Sequence, residues 1–434
     1  MSKKYCEGYT LFSYAGPGGN PTLIDMDGKV IHTWSIPGQW VKMLPGGSIM
    51  GSKRVRERKD TDAPTIPSPG GPPPGGAPPD GPPPRPRPSF DSIEFVQEGW
   101  DGEQEWSFTN WDDDGTGVMM SRQHHDSQRE GNPVGYYAPG QDFVKKGKTL
   151  ILGHKTLNVP RISKFDLLDD AIYEVDWEGN LTGFEWYSAH HFDEIGFDES
   201  AKEDLRTGCR ADVERAVFDW THINTISVLG KNRWYTGLGD ERFHPDNIMI
   251  SSRSANFIAI ISRATGSLVW KAGPDFVEGS PEFGLGQFVG QHHPHLIPQG
   301  LVGEGHVLVF DNGGRSGYGG PKGYPRYTRE YSRVIEFDPI TFEIVWEYKV
   351  ESGEKKFYSH NISSAQRLPN GNTLIDEGAN GRIFEVSADK EIVWEFIAPD
   401  NPTGGNGVYR AFRIPPEWVP GNPAGYTEWY RLYE

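Results

Sequence analysis

Cysteine is almost missing from this chain, with Cys6 and Cys209 the only two in 434 residues. Two thiols make one bridge at most, and neither belongs to a CxxC pair, so a disulfide framework and a cysteine-built metal knuckle are both excluded. Apolar runs of roughly 18 residues, long enough to span a bilayer as a helix, are also missing. The opening MSKKYCEGYTLFSYAG is basic at its start but lacks the apolar stretch of a signal peptide. The chain as it stands is therefore expected in the cytoplasm, or in the periplasm if a leader has been removed. Positive charge is in short supply: 43 Lys and Arg face 60 Asp and Glu, a net charge of −17. Phosphate binding needs a net basic face, which sets nucleic acid and acidic membrane surfaces aside as partners.

Aromatic residues and glycine are abundant instead, with 14 Trp, 18 Tyr, 22 Phe and 54 Gly, a composition of strands and turns. The length exceeds what one ordinary core supports, which leaves several domains or a repeat. Six segments share one plan, an apolar strand, a turn with Asp or Gly, and a second strand ending on Trp. They are LIDMDGKVIHTW, IEFVQEGWDGEQEW, EVDWEGNLTGFEW, IISRATGSLVW, IEFDPITFEIVW and FEVSADKEIVW, closing on Trp34, Trp106, Trp186, Trp270, Trp346 and Trp394. These tryptophans stand 72, 80, 84, 76 and 48 residues apart, and the shortest interval is about the length of one four-stranded propeller blade. The pattern predicts an all-β, six-bladed β-propeller, one domain over residues 1–434 with long inter-strand insertions, in which each Trp packs blade against blade. Residues 64–88 hold thirteen of the 35 prolines and are read as a Pro-rich flexible insertion, since proline cannot join a sheet interior. The acidic stretch from Glu194 to Glu214 has the composition of a short covering helix.

A second register follows the hairpins, in which an apolar strand reaches a Gly turn and another strand leaves it. Eight residues before the turn glycine stand Gln39, His222, His292 and Ser363, and His125 joins them when HHDSQREG is aligned by its strand. The innermost strand of every blade enters from one face, so His125, His222 and His292 are expected to converge on the axis. In the strand leaving the turn, Lys53, Lys155, Arg253, Asn312 and Gly378 share one column, predicting a small basic ring. Imidazoles beside a guanidinium suit transfer of an oxyanion group, with Arg binding two oxygens and His acting as nucleophile or acid/base. Zn²⁺ on the three imidazoles, with Asp126 or Asp219 alongside, is the competing reading. Neighbouring cations would repel a divalent ion, so no metal and no cofactor is expected.

Several strings carry a family resemblance: LIDMDGKVIHTW, HHD at 124–126, DWTHINTI at 219–226, ISSR at 250–253, GQHHPH at 290–295, VFDNGG at 309–314 and LPNGNTLI at 368–375. Together, and in this order, they make the chain similar to the bacterial arylsulfotransferases that do not use PAPS as sulfate donor. The resemblance implies a six-bladed propeller with its active site in the central channel. It also implies ping-pong transfer of a sulfuryl group from an aryl sulfate to a phenol through a sulfated histidine. By motif it places that nucleophile at His292, the HxN pair at His222 and Asn224, the SSR arginine at Arg253, and the HHD histidine at His125 with His124 as alternative. Arg253 and Asn224 would then neutralise the sulfuryl oxygens, while His222 or His125 serves the leaving and entering phenols.

Two departures from the family pattern stand out. His293 and His295 follow the expected nucleophile and could add a base or create a metal site. The family's late anion-binding lysine has no fixed counterpart, leaving Lys355, Lys356, Lys155 and Lys53 open for the role. The expected partner is a small aromatic or anionic substrate, with Tyr136, Tyr137, Tyr187 and Phe288 as candidate ring contacts. Two other functions suit the same scaffold. One is a lyase or hydrolase acting on an anionic sugar or aromatic acid, with the histidines as base or metal ligands. The other is a non-catalytic propeller that binds a partner through the proline-rich loop.

Overall fold

The computed structural model describes residues 4–16, 19–37, 39–55, 91–113, 117–131, 134–141, 144–207, 219–314, 328–353 and 356–432. The proline-rich insertion, Cys209 and Lys355 lie outside them. Within them, mainly antiparallel sheets are arranged as a β-propeller. Strands covered on both faces read as runs of β-branched and aromatic residues, such as Phe257–Ile261 and Val307–Asp311, because only such side chains pack both sides of a pleated surface. Outermost strands such as Ile344–Lys349 and Ile392–Ile397 are half exposed and mix charge with apolar residues.

Four sheets have four strands each. In the first, Val408–Ile414 from the end of the chain pairs with Tyr9–Tyr14, which pairs in turn with Thr22–Ile24 and then Val30–Thr33. Three more run outward in chain order from Ile223–Val228, His292–Leu296 and Ser364–Arg367. Asp112–Asp113 and Met119–Met120 pair as a small two-stranded sheet, and the other strands form an eight-stranded sheet whose two halves, one from Lys42–Met43 to Gln104–Phe108 and the other from Gln123–Arg129 to Leu181–Tyr187, meet at a single pairing, Gln123 opposite Ser92. In the described part of the acidic stretch lies the helix Glu199–Thr207, preceded by Phe192–Ile195, which overlaps its start; they lay Phe192, Ile195, Ala201 and Leu205 onto the core beneath. Among the described residues no helix is long and apolar enough to cross a membrane.

The six repeat tryptophans do what the sequence pattern asks of them. Their indole N–H groups donate to Gly47 O (from Trp34), Trp177 O (Trp106), Gly266 O (Trp186), Pro339 O (Trp270), Ala388 O (Trp346) and Met26 O (Trp394), at 2.8 to 3.2 Å. Each acceptor sits in a turn of the next sheet or half-sheet, and the last returns to the first. Each ring thus contributes apolar area to the seam and satisfies a neighbour's carbonyl with its one polar atom.

Near the axis a single carboxylate ties strands from different sheets. Asp126, on Gln123–Arg129, lies 2.6 Å from Lys42 Nζ and 3.1 Å from Arg410 Nη1, and accepts the backbone N–H of Ile226 at 3.1 Å. Arg410, on the closing strand, also donates to the carbonyl of Asn224 at 3.0 Å. All three charged side chains are buried. Asp126 is therefore spent on this hub and is not offered to a metal. Replacing it by Asn strands two buried cations, and Asp126→Asn is expected to lower the unfolding free energy by about 3–5 kcal/mol. Urea unfolding at neutral pH measures this, and a loss within experimental error of zero would contradict it.

Candidate active site

The innermost strands begin with an unusual backbone. His125, His222 and Ser363 have φ of 50°, 48° and 89°, all at the counted register. In the sheet that starts at His292 the left-handed residue is His293, with φ 56°, one position later than the count. Such a conformation costs a non-glycine residue about 1–3 kcal/mol and persists only where the surroundings impose it. Here it accompanies breaks in the ladder, between Gln123 and Ser127 and between His292 and His295, which re-aim the side chains.

His292 is buried, and its Nδ1 lies 2.9 Å from Gly290 O and 2.7 Å from Asn312 Oδ1. The Asn312 amide nitrogen donates to Ser359 O and Ile362 O at 2.8 and 2.9 Å, so its oxygen has to face the imidazole. Two acceptors around Nδ1 require that nitrogen to carry the hydrogen, which leaves the lone pair on Nε2. Burial, and then the charge of Arg253, hold the ring well below the usual histidine range. His292 is thus an imidazole held neutral partly by the charge of Arg253, and its Nε2 has no hydrogen bond among the described residues.

His222 donates from Nδ1 to Asp219 Oδ2 at 2.5 Å. Burial would raise Asp219, but the charge and hydrogen bond of His222, with His154 behind them, outweigh it and hold the carboxyl well below its usual range. The His222 ring meets His125 edge to face, with centroids 4.7 Å apart. His125 stacks on Trp40 at 5.2 Å and lies 6.0 Å from Tyr409, and these residues, with Arg410, line a small pocket. Burial first, then His222, keep His125 well below the usual range. His124 Nδ1 lies 2.7 Å from His125 Nδ1, so one hydrogen is shared across that pair.

The other residues singled out by sequence take varied places. Asn224 donates one amide hydrogen to Gln291 O at 2.8 Å, which packs it against the strand of His292. Arg253 acts electrostatically on both His292 and His360. The basic ring does not assemble around it: Lys53 donates to Gln104 Oε1 at 2.7 Å, and Lys155 pairs with Asp112 over the Trp111 ring. Lys356 lies 3.7 Å from Glu330. His293 and His295 are committed inside the core, to Ala365 O at 3.0 Å and to the Tyr136 hydroxyl at 2.6 Å. Tyr137 packs on Trp429, and Phe288 is fully buried in a core cluster. The aromatic faces beside the histidines are therefore Trp40 and Tyr409. Trp40 follows Gln39, itself in the counted register, and that adjacency was the available signal; Tyr409 lies on the closing strand, where no repeat marks it.

Fold and centre together define an all-β propeller with a histidine-rich, arginine-bearing core. The chain belongs to the arylsulfotransferase (ASST) family, whose model matches residues 153–398, a span that includes His222, Arg253 and His292. The family indicates a sulfotransferase-type enzyme, with aryl sulfotransfer on a propeller scaffold. No curated protein matches the chain. Among solved structures it is similar to a protein of unknown function from Bacteroides caccae, at 11% identity and a TM-score of 0.43, covering 94% of this chain and 98% of that one. It is also similar to a putative 6-phosphogluconolactonase from Bacteroides fragilis, at 9% identity and a TM-score of 0.38, covering 95% and 99%. Similarities this low carry no argument about activity.

The tautomer of His292 is directly measurable. Long-range ¹H–¹⁵N correlation spectra of ¹⁵N-histidine protein should show it neutral and Nδ1-protonated from about pH 8 down to about pH 5, where an unperturbed histidine has already titrated. Asn312→Leu leaves Gly290 O as the remaining acceptor and should weaken, without abolishing, the preference for that tautomer. A wild-type His292 that titrates like a free histidine would contradict the assignment.

Proposed function

We propose that the whole chain, residues 1–434, forms one six-bladed propeller that transfers a sulfuryl group from an aryl sulfate to a phenolic acceptor through a sulfohistidine on His292, without PAPS. The observation that carries this reading is the neutral, tautomer-fixed imidazole whose Nε2 is free beside Arg253. In the first half-reaction Nε2 attacks sulfur, the N–S bond forms, the S–O(aryl) bond breaks, and the electron pair leaves on the phenolate, which takes a proton from protonated His222. In the second, the acceptor hydroxyl gives its proton to the same base, its oxygen attacks sulfur, and the N–S bond breaks. Arg253 neutralises the sulfuryl oxygens, and Asn224 offers its second amide hydrogen. Asp219 acts as a positioning residue that supports charge on His222, and the Trp40 and Tyr409 faces give the aryl ring a surface to lie against.

Incubation with 4-nitrophenyl sulfate should release nitrophenol on addition of a phenol, and should leave a sulfuryl adduct on the peptide containing His292. His292→Asn should abolish both, and Arg253→Lys should lower kcat/KM by about 10²–10³-fold. Turnover by His292→Asn at the wild-type rate would overturn the mechanism.

A further inference from the structure

A second histidine cluster lies beside the axial one and shares only Asp219 with the proposed transfer. The His124 and His154 rings stack with centroids 3.5 Å apart and 10° between planes. His124 Nε2 is 3.3 Å from Asp170 Oδ1, and His154 Nε2 is 3.7 Å from that same oxygen and 3.9 Å from Asp219 Oδ1. All four atoms are buried, and none has a hydrogen-bond partner among the described residues. The other polar atoms of these side chains are occupied. His154 Nδ1 is bonded to Asp91 Oδ1 at 2.6 Å, Asp170 Oδ2 accepts from Thr221 Oγ1 and from the Ile223 N–H, and Asp219 Oδ2 accepts from His222.

Buried polar atoms without partners are costly; the free atoms of His124, His154 and Asp170 lie within 4.8 Å of one another, Asp219 Oδ1 stands at the edge of the group 3.9 Å from His154 Nε2, and together they require something that satisfies them. A water molecule has two hydrogens to give. A cation accepts electron pairs from every side. We propose that His124, His154, Asp170 and Asp219 bind one divalent transition-metal ion of the zinc type through two imidazole nitrogens and two carboxylate oxygens. Two imidazoles with two carboxylates suit such an ion better than calcium or magnesium, which prefer all-oxygen sites. The carboxylate behind His154 is the usual orienting partner of a metal-bound imidazole, and Asp91 is itself held by Arg122 at 2.9 Å. The objection that nearby cations would repel the ion falls away, because Lys155 is paired with Asp112 and Arg122 with both Asp91 and Asp112. The parallel rings have to splay for both lone pairs to reach one ion.

Such an ion would stand one residue away from the reacting groups. Taking His124 through Nε2 makes its Nδ1 the donor to His125, and taking Asp219 through Oδ1 leaves Oδ2 to His222. The ion would then set the tautomers of two proton-carrying histidines without touching substrate. The site itself does not depend on the sulfuryl-transfer reading.

The test uses the full-length protein, stripped of metal and incubated with zinc, cobalt or manganese. One zinc per chain should survive gel filtration in metal-free buffer, cobalt should give visible ligand-field bands, and zinc should raise the melting temperature. Asp170→Asn keeps an oxygen for Thr221 and Ile223 while removing a ligand, and it should weaken zinc binding by at least about 10–100-fold, as should His154→Gln. If either variant fails to fold, X-ray absorption of the zinc-loaded wild type decides, with two imidazoles and an oxygen shell expected. Retention of none of the three metals overturns the proposal. So does undiminished binding by both folded variants, or a shell of three imidazoles, which would place the ion on the axial histidines.

Discussion

One buried carboxylate governs how the innermost strands meet. Asp126 stands between Lys42 and Arg410, and in a low-dielectric interior neither cation is tolerable without it. Burial would raise its pKa, but Lys42 and then Arg410 outweigh that and hold it below the usual carboxylate range. The consequence reaches the histidines. After burial itself, Arg410 is the foremost influence keeping His293 uncharged, and it also acts on His292 and His295. The geometry that closes the ring and the protonation states at its centre therefore have a common origin.

This arrangement sets a local group of cations inside an acidic protein. In a chain of net charge −17, Arg253 and Arg410 act on buried His292, and Arg410 and Lys42 on buried His293. Under the proposed function a sulfate ester would meet these cations in a confined space, where each unit of charge counts for more than it does in solvent. Keeping the imidazoles neutral costs little there, because the cations already present discourage further protonation.

How far the sequence reached depends on how local each determinant is. The closing tryptophans were legible because strand, turn and aromatic lie within a dozen or so residues, and each indole found a carbonyl across the seam. The register at the start of the inner strands was legible to within one residue; the left-handed residue stands at the counted position for His125, His222 and Ser363 but one later, at His293, where the ladder slips, and counting from a glycine cannot see a slip. Arg410 and Lys42 stayed hidden since their meaning comes from Asp126, contributed by a strand far from both in sequence. Lys53 and Lys155 share a column, yet Gln104 and Asp112 capture their side chains. His154 was one step from that column, and in a strand one step means the opposite face, which is how it comes to lie against His124. Asn312 was in the column too, but its part depends on two carbonyls, at Ser359 and Ile362, that turn its amide.

The indole bonds around the rim differ in kind from the charge hub at the axis. Outer strands such as Val30–Thr33 and Ile392–Ile397 are partly exposed, and the Trp of each repeat fastens its sheet to the next by one neutral hydrogen bond. Inner strands such as His292–Leu296 and Val408–Ile414 are buried throughout, and Val408–Ile414 is cross-linked by ion pairs of Arg410 and Arg413. Stiffness should therefore grade along the radius, with a compliant periphery that can breathe on its own and a hub that holds its angles. Sequence drift, thermal motion and lengthened loops can be absorbed at the circumference, and the atoms that must stay aligned for chemistry are those farthest from it.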